Sequence, residues 1–357
     1  MRRPTIALAL LCAVAAPAGA QDGLLQSCSV SGLTIPESAR DPFHQMCAQV
    51  VNAFANVQPG VGMTFSGGNP VLGTGSTLGR RLGLVPRFSA TARTNVTVSE
   101  VPGLFEDYTP LFSDDSDLAA MEVVRLPMVA FQGDVALGLF NGLSLGPALG
   151  GFGAVDLLGS VAFLPKVDRL GLADPIVSYG GGLRVGILQQ GLVTPGISLS
   201  GLYRRMGSFG FGDREAGDPG DFEMDLRTLS LRAVASKGIL LLDLAVGAGY
   251  DRYTSDVALG WRITCATSEC RAANSGQVWE GDGQIQGELT TAAWNVFGNV
   301  ALNLLVFNLV GEVGYQKAVD PLGLEDLEKA GLPRKQLTDG DLKGGRLFGS
   351  VGLRVSF

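Results

Sequence analysis

Apolar and polar residues alternate in eight segments of the chain, which predicts β-strands because successive side chains of a strand point to opposite faces. In the last segment, Val351, Leu353 and Phe357 fall on one face. Arg346 and Arg354 fall on the other face. With two segments in which the alternation changes phase, the pattern predicts strands at residues 80–98, 121–139, 148–164, 175–188, 195–206, 222–235, 238–263, 284–302, 304–317 and 344–357.

The two phase changes each have two explanations. The apolar positions shift from Leu226 to Leu229 in one segment and from Leu289 to Trp294 in the other. A β-bulge adds one residue to a strand and moves the later side chains to the opposite face. A misplaced strand boundary would give the same pattern.

The predicted connections alternate between short turns and long polar loops. Residues 236–238 and 302–304 are short, whereas residues 99–120 and 318–344 are long and polar. Short turns at one rim and long loops at the other are typical of antiparallel outer-membrane barrels. The glycine-broken stretch 60–79 has room for two more strands, so the expected count is about 10–12.

Composition supports strands over membrane helices. Glycine accounts for 51 of 357 residues and charged residues for 17%, whereas glycine averages about 7% in ordinary proteins. Residues 135–155 are uncharged and long enough for a membrane helix. Asn141-Gly142 and Gly146-Pro147 interrupt them with turn residues, so we predict a hairpin there.

Residues 1–20 have the three parts of a secretory signal peptide: Arg2 and Arg3, an apolar stretch, and the small residues Ala18-Gly19-Ala20. Cys12 raises the alternative of a lipoprotein signal, but Leu11 precedes it where a small residue is needed. Cleavage after Ala20 leaves 25 basic residues against 34 acidic ones, a net charge near −9. This charge disfavours a nucleic-acid partner.

Alternation alone fits a soluble sandwich as well as a membrane barrel, because both have one apolar and one polar face. The signal peptide, the glycine content, the strand lengths and the C-terminal aromatic residue favour the membrane. We therefore predict an all-β antiparallel barrel in the bacterial outer membrane, reached through the periplasm, with outer-membrane lipid around it. It spans residues 80–357, after the signal peptide and a distinct segment at 21–79.

The segment before the barrel contains a predicted amphipathic helix of about four turns. Asp41 and Pro42 are typical of a helix N-cap and first position. Apolar residues then recur at helical spacing at Phe43, Met46, Cys47, Val50, Val51, Phe54 and Val57. This helix either packs against the periplasmic rim or plugs the barrel lumen.

Four cysteines remain after export, Cys28, Cys47, Cys265 and Cys270, which is compatible with two disulfides. Cys265 and Cys270 enclose only four residues, so their bridge would staple a loop tip. Cys28 reaches Cys47 if the chain folds back. Free buried thiols are the alternative.

The predicted lumen face carries ionisable side chains of both signs. In a narrow barrel they pair across the interior, whereas in a wider one they form a charge-selective lining. The larger number of arginines would favour anionic solutes in an open pore. The residues are Arg87, Arg93, Asp134, Asp156, Arg184, Arg204, Arg232, Asp243, Glu288, Glu312, Arg346 and Arg354.

Catalytic chemistry is not indicated. His44 is the single histidine and lies on the predicted helix, away from the barrel strands. The acidic cluster at residues 113–117 could hold calcium, but it lacks a complete ligand spacing and fits a solvated loop. We therefore expect no catalytic residue, no cofactor and no metal site.

Two resemblances extend this interpretation. Residues 349–357, which end at Phe357, resemble the terminal strand that the barrel-assembly machinery recognises in outer-membrane proteins. Residues 60–70, leading to 86–90, resemble the link between the hatch and the first strands in the long-chain fatty acid transporter family. The second resemblance implies uptake of hydrophobic molecules through a plugged barrel of fourteen strands.

The sequence thus predicts a porin-like passive channel or transporter for a small-molecule solute, hydrophobic solutes included. The alternative is a barrel that does not transport and has a structural or surface-interaction role through its acidic extracellular loops.

Overall fold

Ten long strands form a closed antiparallel barrel around an N-terminal helix in the computed structural model, as the sequence predicted. The structure describes residues 37–79, 87–102, 111–112, 123–144, 150–166, 175–211, 220–304, 307–319 and 345–356. The helices are α1 (Glu37–Ser66) and α2 (Ser268–Ala273). The strands are β1 (Phe88–Pro102), β2 (Leu111–Phe112), β3 (Val123–Phe140), β4 (Val155–Leu164), β5 (Ile176–Leu188), β6 (Gly196–Met206), β7 (Phe209–Phe211), β8 (Gly220–Ile239), β9 (Leu242–Cys265), β10 (Trp279–Leu304), β11 (Phe307–Val319) and β12 (Arg346–Ser356).

The barrel closes where the first strand meets the last. β1 pairs with β12 on one side and with β3 on the other, and every long strand has two antiparallel neighbours. The short strands β2 and β7 add to β9 and β8 at the long-loop end. A closed sheet leaves no edge with unpaired backbone groups, which is the condition for crossing a lipid bilayer with strands.

Leucine and valine side chains cover the outer face, and polar side chains face inward. Leu353 is 52% exposed, whereas its neighbour Arg354 is 6% exposed. Val185 and Leu244 are likewise exposed, and Arg184 is buried. A soluble barrel would have the reverse arrangement, so this distribution identifies the outer face as the lipid-facing one.

Aromatic side chains ring the outer face at two heights. The upper ring includes Phe131, Phe163, Tyr179, Tyr203 and Trp294, and the lower ring includes Phe88, Phe140, Phe152 and Phe307. Along β3, Phe131 and Phe140 are about 30 Å apart at 3.3 Å per residue, or about 23 Å in height at a tilt near 40°. This is the height of the apolar band of outer-membrane barrels.

Strands β1, β3, β8, β9 and β10 continue beyond the upper ring, and β9 and β10 continue furthest. Above this ring, β9 continues from Tyr250 to Cys265, and β10 occupies Trp279 to Trp294. Each of these stretches is about 50 Å long. We call residues 220–227, 252–265 and 279–292 the outer extension. Its polarity is inverted, because Phe222, Leu226 and Leu289 point inward and are buried.

This inversion explains the two phase changes, and of the two explanations offered for them the β-bulge is wrong. The pairing of β8 with β9 and of β10 with β9 continues without a register shift through both segments. The strands keep their alternation, but the apolar side chains change face where the strand leaves the lipid for water. Register shifts lie elsewhere, at Gly138/Phe140 and at Gly186/Leu188.

One predicted turn is misplaced by a few residues. β8 continues through residues 236–238, and the chain turns at Leu240, which has φ 56°. Lys237 explains the difference, because its ammonium group donates hydrogen bonds to the carbonyl oxygens of Gly191 and Leu192 in the neighbouring turn, at 2.7 and 2.6 Å. These bonds hold Lys237 within the strand at the rim.

Helix α1 is longer than predicted at both ends. It starts at Glu37, so Asp41 and Pro42 lie inside it. Pro42 lies in the second turn of the helix, where it removes one hydrogen bond within the helix. The helix also continues through Pro59 to Ser66, and residues 60–79 form no strand. Among the described residues, no helix is long and apolar enough to span a membrane.

Candidate functional site

Residues 56–79, which we call the lumen segment, descend through the barrel from the long-loop end to the short-turn end. Gln58 donates a hydrogen bond of 2.6 Å to Ser255 high on β9. Gly79 lies at the opposite end, against the Asn141 side chain. Nearly every residue between them is buried. Of the two placements predicted for this part of the chain, the lumen plug is the one that the structure shows.

Two glycines adapt the lumen segment to the barrel wall. Gly67 has φ +60° and follows the last residue of α1, where its N–H donates a 2.9 Å hydrogen bond to the Met63 carbonyl oxygen. This is the common left-handed helix end. Gly62 lies against the ring of Tyr253, where any added Cβ would overlap the ring. The lumen segment is therefore in close contact with the wall.

The described part of the wall contains three buried ion pairs, each between neighbouring strands. Arg93 Nε lies 2.9 Å from Asp134 Oδ2, and Arg232 Nη1 lies 2.8 Å from Asp251 Oδ1. Arg184 Nη2 lies 2.7 Å from Asp156. These pairs do not cross the interior, because the lumen segment occupies the space between opposite walls.

Two of these arginines, Arg93 and Arg232, also hold the backbone of the lumen segment. Arg93 donates 3.0 Å hydrogen bonds to the carbonyl oxygens of Ser66 and Asn69. Arg232 Nε donates a 2.9 Å bond to the carbonyl oxygen of Gly68. These carbonyls follow the end of α1, where backbone acceptors have lost their helical partners. The guanidinium groups supply charge-assisted replacements.

Glu312 provides the opposite charge at the same level. Its carboxylate accepts hydrogen bonds from the backbone N–H groups of Gly68 and Asn69, at 2.9 and 2.8 Å. Asn299 donates a third bond at 2.7 Å. Consecutive N–H groups beside a left-handed residue form an anion-binding concavity. Here a side chain of the wall fills that concavity.

Further bonds fix the lower half of the lumen segment. Arg354 Nη1 donates a 2.6 Å hydrogen bond to the Leu72 carbonyl oxygen. The Leu78 N–H donates to the Asp156 carboxylate at 3.1 Å. Met63, Val71 and Leu72 each pack into a cluster of buried wall residues. Polar and apolar contacts therefore both anchor the segment.

The outer mouth of the barrel is an apolar core. Phe43 of α1 packs edge-on against Trp261, with ring centroids 4.8 Å apart. Phe54 stacks on Phe222. An apolar gap remains beside Phe54, lined by Cys47, Val51, Phe222, Val257, Leu259 and Ile285. The upper half of α1 thus fills the inverted interior of the outer extension.

The outer surface of the extension carries charged residues. Arg205 is paired with Asp225 at 2.9 Å, and Arg227 is paired with Asp256. Carboxylates outnumber guanidinium groups on this surface of the described strands. The carboxylates are Asp221, Glu223, Asp225, Asp256, Glu280, Asp282 and Glu288, and the guanidinium groups are Arg227, Arg252 and Arg262 of the extension and Arg205 of β6 beside it.

The predicted disulfide between Cys265 and Cys270 is present and joins the end of β9 to α2. Thr267 caps α2 through a 3.1 Å hydrogen bond from the Cys270 N–H. Cys47 is also disulfide-bonded. Cys28 lies outside the described residues.

Most of the predicted lumen residues face inward. Buried in the wall are Arg93, Asp134, Asp156, Arg184, Arg204, Arg232, Glu312 and Arg354. Arg87 is exposed and Asp243 is half-buried at the short-turn rim, and the half-buried Arg346 donates to the Asn56 carbonyl oxygen. The expectation that Glu288 lines the lumen is wrong, because it lies on the outer, polar face of the extension.

Asp251 is a lumen residue that the prediction omitted. It is fully buried, pairs with Arg232 and accepts a 2.6 Å hydrogen bond from Ser230. Its parity matches that of Asp243, so strand alternation could have placed it. The groups of the lumen segment that bond the wall side chains are backbone N–H and carbonyl groups, and no sequence pattern distinguishes them.

With Asp251 included, the buried charges of the described wall are nearly balanced. Five guanidinium groups face four carboxylates: Arg93, Arg184, Arg204, Arg232 and Arg354 against Asp134, Asp156, Asp251 and Glu312. A balanced, paired interior has little net field with which to select ions. The predicted preference for anionic solutes therefore has no support in this wall.

Several predictions fall outside the described residues or side chains. They concern the signal peptide at 1–20, the acidic cluster at 113–117 and Phe357. His44 lies in α1, but its side chain is not described. Among the described residues, no group of His, Cys, Asp and Glu side chains could hold a metal ion.

The closed sheet, the lipid-facing band between two aromatic rings and the polar interior define an outer-membrane β-barrel. Its lumen is occupied by its own N-terminal segment. The barrel has ten strands in its described part, not the fourteen that the resemblance to fatty acid transporters implies.

No protein-family model and no curated protein matches the sequence. Solved structures with a similar fold include the outer-membrane protease OmpT of Escherichia coli, with a TM-score of 0.35 and 7% identity over 76% of this chain and 97% of that one. The translocator domain of the autotransporter NalP from Neisseria meningitidis gives a TM-score of 0.34 and 11% identity over 76% and 88%. The transport unit of AIDA-I from Escherichia coli gives 0.33 and 8% over 85% and 99%.

Proposed function

We propose that this protein is a closed outer-membrane barrel that does not conduct solutes and presents the outer extension for interactions at the cell surface. One observation carries the proposal: the lumen segment is bonded to the wall on opposite sides. Arg93 and Glu312 hold it from β1 and β11, and Arg232 holds it from β8. The space that a solute would need is filled by polypeptide.

The outer extension supplies the surface. Its outer face is water-exposed, charged and predominantly acidic, and its inner face is covered by α1. A rigid acidic surface of this kind fits a partner with a basic surface. The acidic loop at 113–117, which the sequence suggested for this role, lies outside the described residues.

A gated transporter of small hydrophobic molecules is the second candidate. The apolar lining of the mouth beside Phe54 and Phe222 favours it, because a hydrophobic solute would meet apolar side chains there. Transport would require the lumen segment to leave its bonds with Arg93, Arg232 and Glu312. Those bonds make the closed barrel the better-supported function.

Conductance of the purified protein in planar lipid bilayers tests the proposal. We expect no steady current from the intact chain. Glu312→Ala removes the carboxylate that holds Gly68 and Asn69, and should give intermittent openings. Glu288→Ala removes an exposed carboxylate on the outer face and should stay silent. A steady current from the intact chain would contradict the closed barrel and favour a channel.

We also propose that the chain is not an enzyme, since its one histidine lies in α1 and not on a barrel strand. Hydrolytic activity that is lost in His44→Ala would contradict this.

A further inference from the structure

The direction of α1 has a consequence for the polypeptide that precedes it. Phe43, near the start of α1, packs against Trp261, which lies near the long-loop end of β9. The chain then passes Ser255 at Gln58 and Arg354 at Leu72, and reaches Asn141 at Gly79. The segment therefore runs once through the barrel, from the long-loop end to the short-turn end.

The two ends of the barrel face different compartments. Outer-membrane barrels have their short turns in the periplasm and their long loops outside the cell. The two-residue turn at Leu240 and Leu241 is one of the short turns and therefore lies at the periplasmic end. The outer extension, with its water-exposed charged surface, lies at the extracellular end. The start of α1 thus lies on the extracellular side of the lipid-facing band.

In the part of the lumen that the structure describes, the segment and the wall are in close contact. Gly62 is in contact with the Tyr253 ring, and Gly68 is in contact with the Phe297 ring, so the wall and the segment are packed closely. Phe43 and Phe54 fill the mouth above them. A second pass of polypeptide beside α1 would need space that the described residues already occupy.

We propose that the polypeptide before Glu37 emerges at the cell surface, with the lumen segment as its tether. The barrel then carries its own N-terminal polypeptide across the outer membrane and displays it beside the outer extension. This inference does not depend on the proposed function, because a conducting or a closed barrel could hold the segment in this direction.

Epitope tags on intact cells of a two-membraned bacterium test the proposal. Tags are inserted after Asp22 or after Gly32 as two independent probes of the N-terminal polypeptide. A tag between Ser275 and Gly276 marks the outer extension, and a tag after Leu240 marks the short-turn end. Each variant is first checked for a folded barrel by its heat-modifiable migration in gels.

We expect antibody to label the two N-terminal tags on intact cells within about twofold of the tag at Ser275. The tag at Leu240 should give at least tenfold less signal until the outer membrane is permeabilised. N-terminal tags that become accessible only after permeabilisation, like the tag at Leu240, would overturn the proposal. Protection of the tag at Ser275 would overturn it too, because the orientation would then be reversed.

Discussion

Arg232 links the wall to the lumen segment through a single buried guanidinium group. It bonds Asp251 on the neighbouring strand and the carbonyl oxygens of Gly67 and Gly68. A buried ion pair adds little net stability compared with apolar side chains, because both charges have lost their hydration. Removing one partner strongly lowers the free energy of unfolding, since the other charge stays buried and unpaired.

Arg232→Ala should therefore lower the free energy of unfolding by about 3–5 kcal/mol. Arg205→Ala is the matched control, because it breaks an exposed pair with Asp225 on the outer face and should cost at most about 1 kcal/mol. Urea unfolding in lipid vesicles, followed by tryptophan fluorescence, measures both. Equal effects of the two substitutions would show that the buried network does not hold the barrel.

The sequence could predict part of this network. Strand parity placed Arg93, Arg184 and Arg354 inside, since each alternates with lipid-facing residues. Parity could not show that Arg93 and Arg354 bond carbonyl oxygens of the lumen segment, because every residue has a carbonyl group. It misplaced Glu288, whose strand had already left the lipid at that height.

At the scale of elements, the outer face of β10 contacts lipid in one part of the strand and water in another. Val300 lies between the aromatic rings with its side chain toward lipid, and Glu288 lies above the upper ring with its side chain toward water. Both are on the outer face of the same strand. The pattern of apolar residues changes face between them, although the pairing with β9 stays in register.

An arginine on this face should be tolerated only above the lipid. Val300→Arg should destabilise the folded barrel in vesicles by about 2–4 kcal/mol, the cost of a cation near the bilayer midplane. Glu288→Arg should change stability by less than about 0.5 kcal/mol. Equilibrium unfolding of the two variants in the same vesicles gives the comparison. A similar cost at both positions would mean that the lipid boundary lies elsewhere on β10.

Alternation predicted the ten strands well because lipid and lumen impose a period of two on every strand. The end of α1 was harder to predict, since Pro59 and Gly60 are typical of helix ends. The surrounding wall supports the helix through these residues, as Gln58 is bonded to Ser255 on β9 and to Leu289 on β10. Tertiary contacts override local preference here.

For the whole molecule, the lumen segment takes the place of a hydrophobic core. The outer face of the wall is solvated by lipid, so the contacts that fix its shape lie inside. Met63, Val71 and Leu72 pack against the wall, and the ion pairs are completed by the backbone beside them. Without the segment, these charged side chains would face water in an open lumen.

Deleting residues 37–79 should therefore convert a heat-resistant barrel into one that unfolds at a much lower temperature in detergent. Deleting residues 21–36 leaves the lumen segment intact and should preserve the heat resistance of the full chain. Gel migration of unboiled samples over a temperature series reports both. A barrel lacking residues 37–79 that is as heat-resistant as the full chain would show that the segment is dispensable for stability.

The bonds of Arg93 and Arg354 also reinforce the closure of the barrel. Arg93 belongs to the first long strand and Arg354 to the last, and β1 and β12 meet at the seam of the barrel. Both arginines hold the lumen segment, at Ser66 and at Leu72. The two terminal strands are therefore bonded to one segment, which ties both sides of the closure together from inside the barrel.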